Sequence, residues 1–102
     1  LVYIDDVVDS FLNCLDCERS YGQNINIGTG VRTSVRELID DMITLYGKDI
    51  SVKYEGSTAG DIHGIYADIT RAQQKLNFTP KIDLETGLLK MLDWVKGQKN
   101  NA

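Results

Sequence analysis

The sequence contains few of the residues on which catalysis usually depends: one histidine, one proline and two cysteines in 102 residues. With His63 as its sole imidazole and no Gly-x-Ser-x-Gly turn, the chain cannot assemble a Ser-His-Asp type nucleophile. It also lacks a Tyr-x-x-x-Lys proton-transfer pair and any apolar run near the roughly 20 residues that cross a bilayer. We therefore expect no complete catalytic centre, no metal site and no membrane-spanning segment.

Composition and charge place the chain among ordinary globular proteins. It is 42% apolar and 25% charged, and 102 residues suffice for one domain with a modest core. The net charge of −4 disfavours binding to nucleic acid or to an anionic membrane surface. No basic segment precedes an apolar one, so we expect a soluble, cytoplasmic protein. Because the chain begins at Leu1, inside an apolar run, we also expect it to be a piece of a longer protein.

Cys14 and Cys17 form a Cys-x-x-Cys motif. A redox or zinc site would need this motif at a helix N-terminus, or a second pair of ligands elsewhere in the chain. The pair instead falls inside a predicted helix, with His63 as the only other soft ligand. We interpret the two cysteines as a reduced intracellular pair.

Four amphipathic segments predict helices, and each begins near a residue whose side chain commonly caps a helix. Asp6, Asp68 and Asp83 are three of these caps, and Ser34 forms a capping box with Glu37. The predicted helices are residues 7–19, 34–46, 69–76 and 84–96, followed by a polar tail at 98–102 that we expect to fray.

Three short segments predict strands: residues 1–4, 25–27 and 50–54. The first is continuously apolar and the third alternates, which are the patterns of buried and half-buried strands. The predicted fold class is therefore α/β, with about four helices and three or four short strands.

Gly28-Thr29-Gly30 follows a predicted strand and precedes a predicted helix, as a dinucleotide-binding loop would. The third glycine of such a fingerprint is replaced by Thr33, although an acidic residue, Glu55, follows at a suitable distance. We interpret the segment as a turn that leads into a capped helix, not as a cofactor loop.

Three longer segments, in the same order and spacing, carry a family resemblance that covers residues 1–97. They are VYIDDVVDSFLNCL, NINIGTGVRTSVRELID and GDIHGIYADITRAQQKLNFTPKIDLETGL. Together they resemble the C-terminal part of the extended short-chain dehydrogenases/reductases, and most closely the NAD-dependent nucleotide-sugar epimerases and dehydratases of the UDP-glucose 4-epimerase type.

The resemblance implies that residues 1–97 are the substrate-binding C-terminal part of a Rossmann-type enzyme. NAD would be bound by the N-terminal Rossmann half, which is absent here together with the Tyr-x-x-x-Lys pair. The implied partners are a nucleotide-sugar substrate and the protein's own Rossmann domain, within a homodimeric parent that epimerises or dehydrates its substrate. The present chain alone is expected to be inactive.

The resemblance also implies a set of substrate-binding residues: Thr58, Gly60, Asp61 and Ile65. Asp61 matches the carboxylate that accepts hydrogen bonds from the ribose hydroxyls, although a solvated loop carboxylate would look the same in sequence. Thr58 stands where the family usually has an arginine that clamps the diphosphate, and Ile65 where some epimerases place a tyrosine against the sugar.

The neutral Thr58 leaves three alternatives open. Another residue supplies the positive charge, the substrate is not a typical nucleotide sugar, or the relative is an NAD(P)-dependent reductase that acts on a small carbonyl compound. A free-standing, non-enzymatic binding domain is the remaining alternative.

Overall fold

The computed structural model describes residues 1–56, 59 and 66–100 of the chain. Among these residues, one 3₁₀ turn (Glu18–Ser20) and four α-helices form. No helix in the described ranges is both long and apolar enough to span a bilayer. The helices are α1 (Ile4–Asp16), α2 (Val35–Tyr46), α3 (Thr70–Leu76) and α4 (Leu84–Asn100).

The predicted α/β fold with three or four short strands is wrong for the described part of the chain, which is helical with no strand. Residues 1–3, 25–27 and 50–54 belong to no regular element. A strand exists only as a hydrogen-bonded ladder with a neighbour, whereas an apolar or alternating pattern predicts only which side chains could be buried. Residues 50–54 are all exposed. Ile25 and Ile27 do pack against the core, but their backbones pair with no other segment among the described residues.

Helix α1 begins earlier than predicted, and Asp6 is not its cap. The N-cap position is held by Tyr3, in extended conformation and without a side-chain capping bond. Asp6 lies inside the first turn and is buried, where its carboxylate accepts hydrogen bonds from the backbone N–H groups of Lys81 and Ile82. The aspartate that the sequence placed at a helix start therefore ties α1 to the segment before α4.

Helix α3 begins at Thr70, and its N-cap position is held by Ile69 without a side-chain capping bond, so Asp68 is not the predicted cap. The boundaries of α2 and the start of α4 agree with local sequence signals. Ser34 and Glu37 form the predicted capping box of α2, with Ser34 Oγ 3.1 Å from the Glu37 nitrogen, and Gly47 ends that helix at φ +78°. Asp83 Oδ1 accepts a hydrogen bond from the N–H of Thr86 (2.8 Å) at the start of α4. Helix α4 continues to Asn100, past the predicted end at residue 96.

The core is small and is centred on α3. Phe78 is 2% exposed and folds back over this helix, so that its N–H donates to the Ala72 carbonyl at 3.1 Å. Side chains from α1 and from the turn after it close the other side of the core, including Cys14 and Cys17. The residues of this cluster are Ile69, Ala72, Leu76 and Phe78, with Cys14, Cys17, Ile25, Ile27 and Ala67 packed against them.

Candidate substrate-binding region

The four residues that sequence reasoning assigned to the substrate, Thr58, Gly60, Asp61 and Ile65, lie outside the described residues. The structure describes the two segments that flank this loop, one that enters it and one that leaves it. Both segments are held by contacts with other parts of the fold.

The outgoing segment, residues 66–70, is fixed at the start of α3. Asp68 Oδ1 accepts a hydrogen bond from the N–H of Thr70 at 3.0 Å, one residue outside the N-cap position, which Ile69 occupies. The side-chain and backbone hydrogen bonds with Thr70 hold the pKa of Asp68 below its usual value of 3.8. Ile69 itself is buried in the core. Residues 68–70 are thus held by a side-chain hydrogen bond and by core packing.

The Gly28–Gly30 turn packs directly against this outgoing segment. A Cβ atom on Gly28 would lie 2.8 Å from the Cβ of Ala67, closer than carbon atoms approach without a shift. Gly30 has φ +74°, and a Cβ there would lie 3.4 Å from Ile69 Cγ1. Glycine is therefore required at position 28 for close approach and favoured at position 30 by backbone conformation.

The same contacts give Gly28 a packing role. Ala67 lies where a side chain on Gly28 would be, and Thr29 Oγ1 donates to the Leu1 carbonyl at 3.2 Å. The segment therefore packs against residues 66–70 and leads to the capped helix α2.

The incoming segment contacts α2. The guanidinium of Arg36 lies over the Tyr54 ring, 5.2 Å from its centroid, and Lys53 pairs with Glu55 on the exposed surface. Gly56, the last described residue before the loop, has φ +70°. A cation–π contact of this kind orients Tyr54 relative to α2.

Between the Gly28–Gly30 turn and the outgoing segment lies an open cleft of about 520 Å³, lined by Gly30 and residues 66–70. Tyr66 is largely exposed beside it. Within the described ranges, no three His, Cys, Asp or Glu side chains come together as a metal site would require. The cleft offers a phenol, a carboxylate and backbone groups, which suit binding of a polar ligand next to the loop that carries Asp61.

Cys14 and Cys17 are free thiols packed at the edge of the core. Cys17 sits just after α1, where its Sγ donates to the Lys75 carbonyl at 3.0 Å. Cys17 therefore lies outside α1 and contacts the end of α3, whereas the sequence placed both cysteines inside one predicted helix.

Sequence reasoning missed the contacts that hold the frame of the loop. Gly28 and Ala67 are two small residues that lie far apart in the chain and pack against each other. Arg36, in α2, contacts the ring of Tyr54, which lies in the segment that enters the loop. The only sequence signal for the contact between Gly28 and Ala67 was that Gly28 does not belong to a complete phosphate-binding fingerprint. A glycine that serves no turn or ligand is often a site of close packing.

Comparison with known proteins supports an enzyme family. No protein-family model matches the chain. A putative UDP-glucose 4-epimerase of Methanocaldococcus jannaschii is 35% identical over 95 residues, which cover 93% of this chain and 30% of that protein. The UDP-glucose 4-epimerase of Mycolicibacterium smegmatis is 32% identical over 95% of this chain and 31% of its own length. UDP-glucuronate 4-epimerase 3 of Arabidopsis thaliana is 31% identical over 98% of this chain and 26% of its own length.

A solved structure gives the same result. The crystal structure of UDP-glucose 4-epimerase from Thermotoga maritima with UDP-glucose superposes with a TM-score of 0.85 at 33% identity. The match covers 95% of this chain and 31% of the epimerase. The chain thus spans about a third of the length of the relatives that it matches.

The fold and the relatives define the class as the nucleotide-sugar 4-epimerases. Within that class, the chain belongs to the UDP-glucose 4-epimerase-like family and corresponds to its C-terminal part. The resemblance drawn from the three sequence segments is confirmed.

Proposed function

We propose that this chain covers the nucleotide end of a UDP-sugar in an NAD-dependent 4-epimerase. The observation that carries the proposal is its similarity to the Thermotoga maritima enzyme, a UDP-glucose complex, over 95% of this chain at a TM-score of 0.85. The cleft between Gly30 and residues 66–70 is lined by Tyr66, which directly follows the predicted substrate residues in the sequence, and this supports a binding function.

Asp61 is the residue that we assign to the ribose. A carboxylate accepts hydrogen bonds from two vicinal hydroxyl groups at once, and hydrogen bonds to a charged acceptor are about twice as strong as neutral ones. Gly60 precedes it and has no side chain to keep the backbone from the ligand. Asp68, seven residues further along the chain, is itself fixed by a hydrogen bond from the N–H of Thr70.

Thr58 and Ile65 would contact the diphosphate and the sugar. Thr58 has a hydroxyl and no charge, so the positive charge that balances the diphosphate must come from elsewhere in the protein. Ile65 offers an apolar surface and no hydrogen bond to the sugar. The relatives named above include epimerases of UDP-glucose and of UDP-glucuronate, so the proposal is limited to the class of UDP-sugars.

NAD and the catalytic groups belong, in this proposal, to the rest of the parent protein. The Gly28–Gly30 turn lacks the third glycine of a dinucleotide fingerprint, and the sequence has no Tyr-x-x-x-Lys pair. A Rossmann domain contributed by the same polypeptide, within a homodimeric parent, would supply both. The 102-residue chain alone is then inactive, and turnover of a UDP-sugar by this chain with added NAD would contradict the assignment.

The substitution Asp61→Asn in the protein encoded by the complete reading frame tests the ribose assignment. We expect KM for UDP-glucose to rise about 10–100-fold, because hydrogen bonds to a charged group contribute about 1.5–3 kcal/mol. The turnover number should change much less, since the ribose contacts are the same in the ground and transition states. The measurement is steady-state epimerisation of UDP-glucose.

Asp49→Asn is the matched control, because Asp49 is an exposed carboxylate outside the predicted site. Equal KM values for the two variants would contradict the role of Asp61. A parent protein that UDP fails to stabilise in a thermal melt would contradict UDP-sugar binding altogether. That result would favour a reductase of a small carbonyl compound, the alternative that Thr58 left open.

A further inference from the structure

Cys14 and Cys17 are two thiols that pack against the same part of the core. Cys14 lies in the last turn of α1, and Cys17 is the C-cap residue of this helix. Both are free and half-buried, and both pack against the cluster centred on α3 that includes Leu76 and Phe78. The pair is therefore held on one side of the fold, and each thiol remains accessible in part to a small reagent.

The backbone places these two cysteines at a separation that a disulfide can span. Residues three positions apart in an α-helix have Cα atoms about 5 Å apart, which follows from the helix radius and rise. Disulfides usually join Cα atoms that are about 4.4–6.8 Å apart. The Cβ atoms are the tighter constraint, since they lie about 5–6 Å apart in a helix and about 3.5–4.5 Å apart in a disulfide. One cysteine must therefore move by about 1–2 Å for the bond to form.

Cys17 is the residue that can make this movement. It lies directly after the end of α1, with φ −112° and ψ 89°, which are not helical values. The residues that follow it form a separate 3₁₀ turn, Glu18–Ser20. The pair therefore spans a junction between two elements, where a small movement leaves the preceding turns of α1 intact.

A disulfide explains the pair better than a metal ion does. A structural zinc site needs four ligands, and its cysteines bind as thiolates. Within residues 1–56, 59 and 66–100, no three His, Cys, Asp or Glu side chains come together. Cys17 Sγ instead donates a hydrogen bond to the Lys75 carbonyl at 3.0 Å, which a thiolate cannot do. The chemistry that two neighbouring thiols share without further ligands is oxidation to a disulfide.

We propose that Cys14 and Cys17 form a reversible disulfide by exchange with a low-molecular-weight disulfide such as oxidised glutathione. The thiolate of one cysteine attacks a glutathione sulfur, which gives a mixed disulfide and releases one glutathione thiolate. The thiolate of the other cysteine then attacks the cysteine sulfur of the mixed disulfide, so the Cys14–Cys17 bond forms and the second glutathione leaves. The protein loses two electrons and two protons, and one glutathione disulfide is reduced to two glutathione thiols. Because the second attack occurs within one molecule, it is faster than a further reaction with glutathione disulfide.

Oxidation changes the contact between α1 and α3. In the reduced protein, the Cys17 thiol donates to the Lys75 carbonyl, one of the last four of α3, which have no partner within the helix. A disulfide has no S–H group, so this hydrogen bond is lost and Cys17 is drawn towards Cys14. The opposite end of α3 begins at Thr70, which lines the cleft beside Gly30. The oxidation state of the pair therefore determines how firmly α3 is held against α1.

The test treats the protein from the complete reading frame with excess glutathione disulfide, alkylates the remaining thiols and maps the tryptic peptides by mass spectrometry. The sequence has no lysine or arginine from Leu1 to Glu18, so both cysteines fall in one peptide that ends at Arg19. We expect this peptide to be lighter than its reduced form by two hydrogen atoms, with neither glutathione nor an alkyl group attached. Excess reduced glutathione should restore both thiols. Hydrogen exchange, measured on both forms, should show a loss of protection in α3 after oxidation and no change in α2.

Cys17→Ser is the matched control, because a serine hydroxyl still donates to the Lys75 carbonyl but cannot form the disulfide. In this variant, the remaining Cys14 should keep one glutathione as a mixed disulfide. Three results would overturn the inference: glutathione retained on both cysteines of the native protein, thiols that stay unmodified, or protection of α3 that oxidation leaves unchanged. None of these results depends on the binding of a UDP-sugar, so the inference and the proposed function stand or fail separately.

Discussion

Asp6 shows how one residue can satisfy a local pattern and still serve a distant contact. It follows an apolar run and precedes a helical period, which is the sequence signature of an N-cap. In the structure it is 1% exposed, and its two carboxylate oxygens accept three hydrogen bonds from the backbone nitrogens of Lys81 and Ile82, at 3.0–3.2 Å. A buried carboxylate needs such donors, because a buried charge without partners is strongly destabilising. Asp6 thus joins α1 to the segment that precedes α4.

The substitution Asp6→Asn should therefore lower the free energy of unfolding by about 2 kcal/mol. The amide group keeps one acceptor but places an NH₂ group against backbone donors, which leaves buried N–H groups unpaired. Urea denaturation of the protein measures the loss. Asp9→Asn is the control on the exposed side of the same helix, and its effect should stay within about 0.5 kcal/mol. Equal losses would show that helix charge, and not the Asp6 hydrogen bonds, determines the result.

Gly28 gives a second prediction at this scale. The change Gly28→Ala should destabilise the protein by about 1–3 kcal/mol, because the new methyl group would lie 2.8 Å from Ala67 Cβ in a packed contact. The substitution Gly97→Ala should have the opposite effect. A Cβ atom on Gly97, in α4, would have no other heavy atom within 4 Å, so alanine should stabilise the helix by about 0.5–1 kcal/mol. Thermal unfolding measures the stability of both variants. A neutral Gly28→Ala would show that the two segments separate readily.

At the scale of elements, the sequence predicted helices well and strands poorly, for a physical reason. A helix satisfies its hydrogen bonds within itself, and signals such as the Ser34–Glu37 capping box and Gly47 lie within a few residues of the boundary they define. A strand depends on a neighbour that can lie anywhere in the chain or outside it. The alternation of apolar and polar residues in 50–54 therefore gave no information on whether this segment pairs with another strand.

The cap of α4 makes stability depend on pH. The side-chain and backbone hydrogen bonds with Thr86 lower the pKa of Asp83 from its usual 3.8 in the folded protein. A lowered folded-state pKa adds stability that is fully present above the unfolded pKa and is lost as the pH falls through the folded value. We expect the melting temperature to exceed that of Asp83→Asn above about pH 5, and this difference to shrink as the pH falls below 3.8.

Thermal melts between about pH 2.5 and pH 7 test this prediction. Asp93→Asn is the control, since Asp93 is exposed on the same helix away from its start. A difference between the native protein and Asp83→Asn that stays constant across the range would show that the carboxylate charge contributes nothing to the cap.

At the scale of the whole molecule, the order of sequence segments revealed more than any single motif. The three segments identified the family, although no element among them is diagnostic alone. The substrate residues 58, 60, 61 and 65 came only from this resemblance, because a polar loop has no periodicity from which contacts can be read. Only the structure shows the contacts of the segments that flank the loop, which are Gly28 with Ala67 and Arg36 with Tyr54. Helical periodicity also predicted that α1 has an apolar face, but it could not indicate that this face is exposed on the surface of the chain.

The hydrogen bond between Asp6 and Lys81 also determines when α1 can be fixed in place during synthesis of the chain. The two residues are separated by 75 positions in the chain. A ribosome that adds about 5–20 residues per second completes that distance in roughly 4–15 s. During this interval, α1 is synthesised without the backbone donors that its buried aspartate requires, and with five apolar side chains on its other face exposed. The contact that fixes the inward side of α1 therefore forms only after nearly all of this chain has been synthesised.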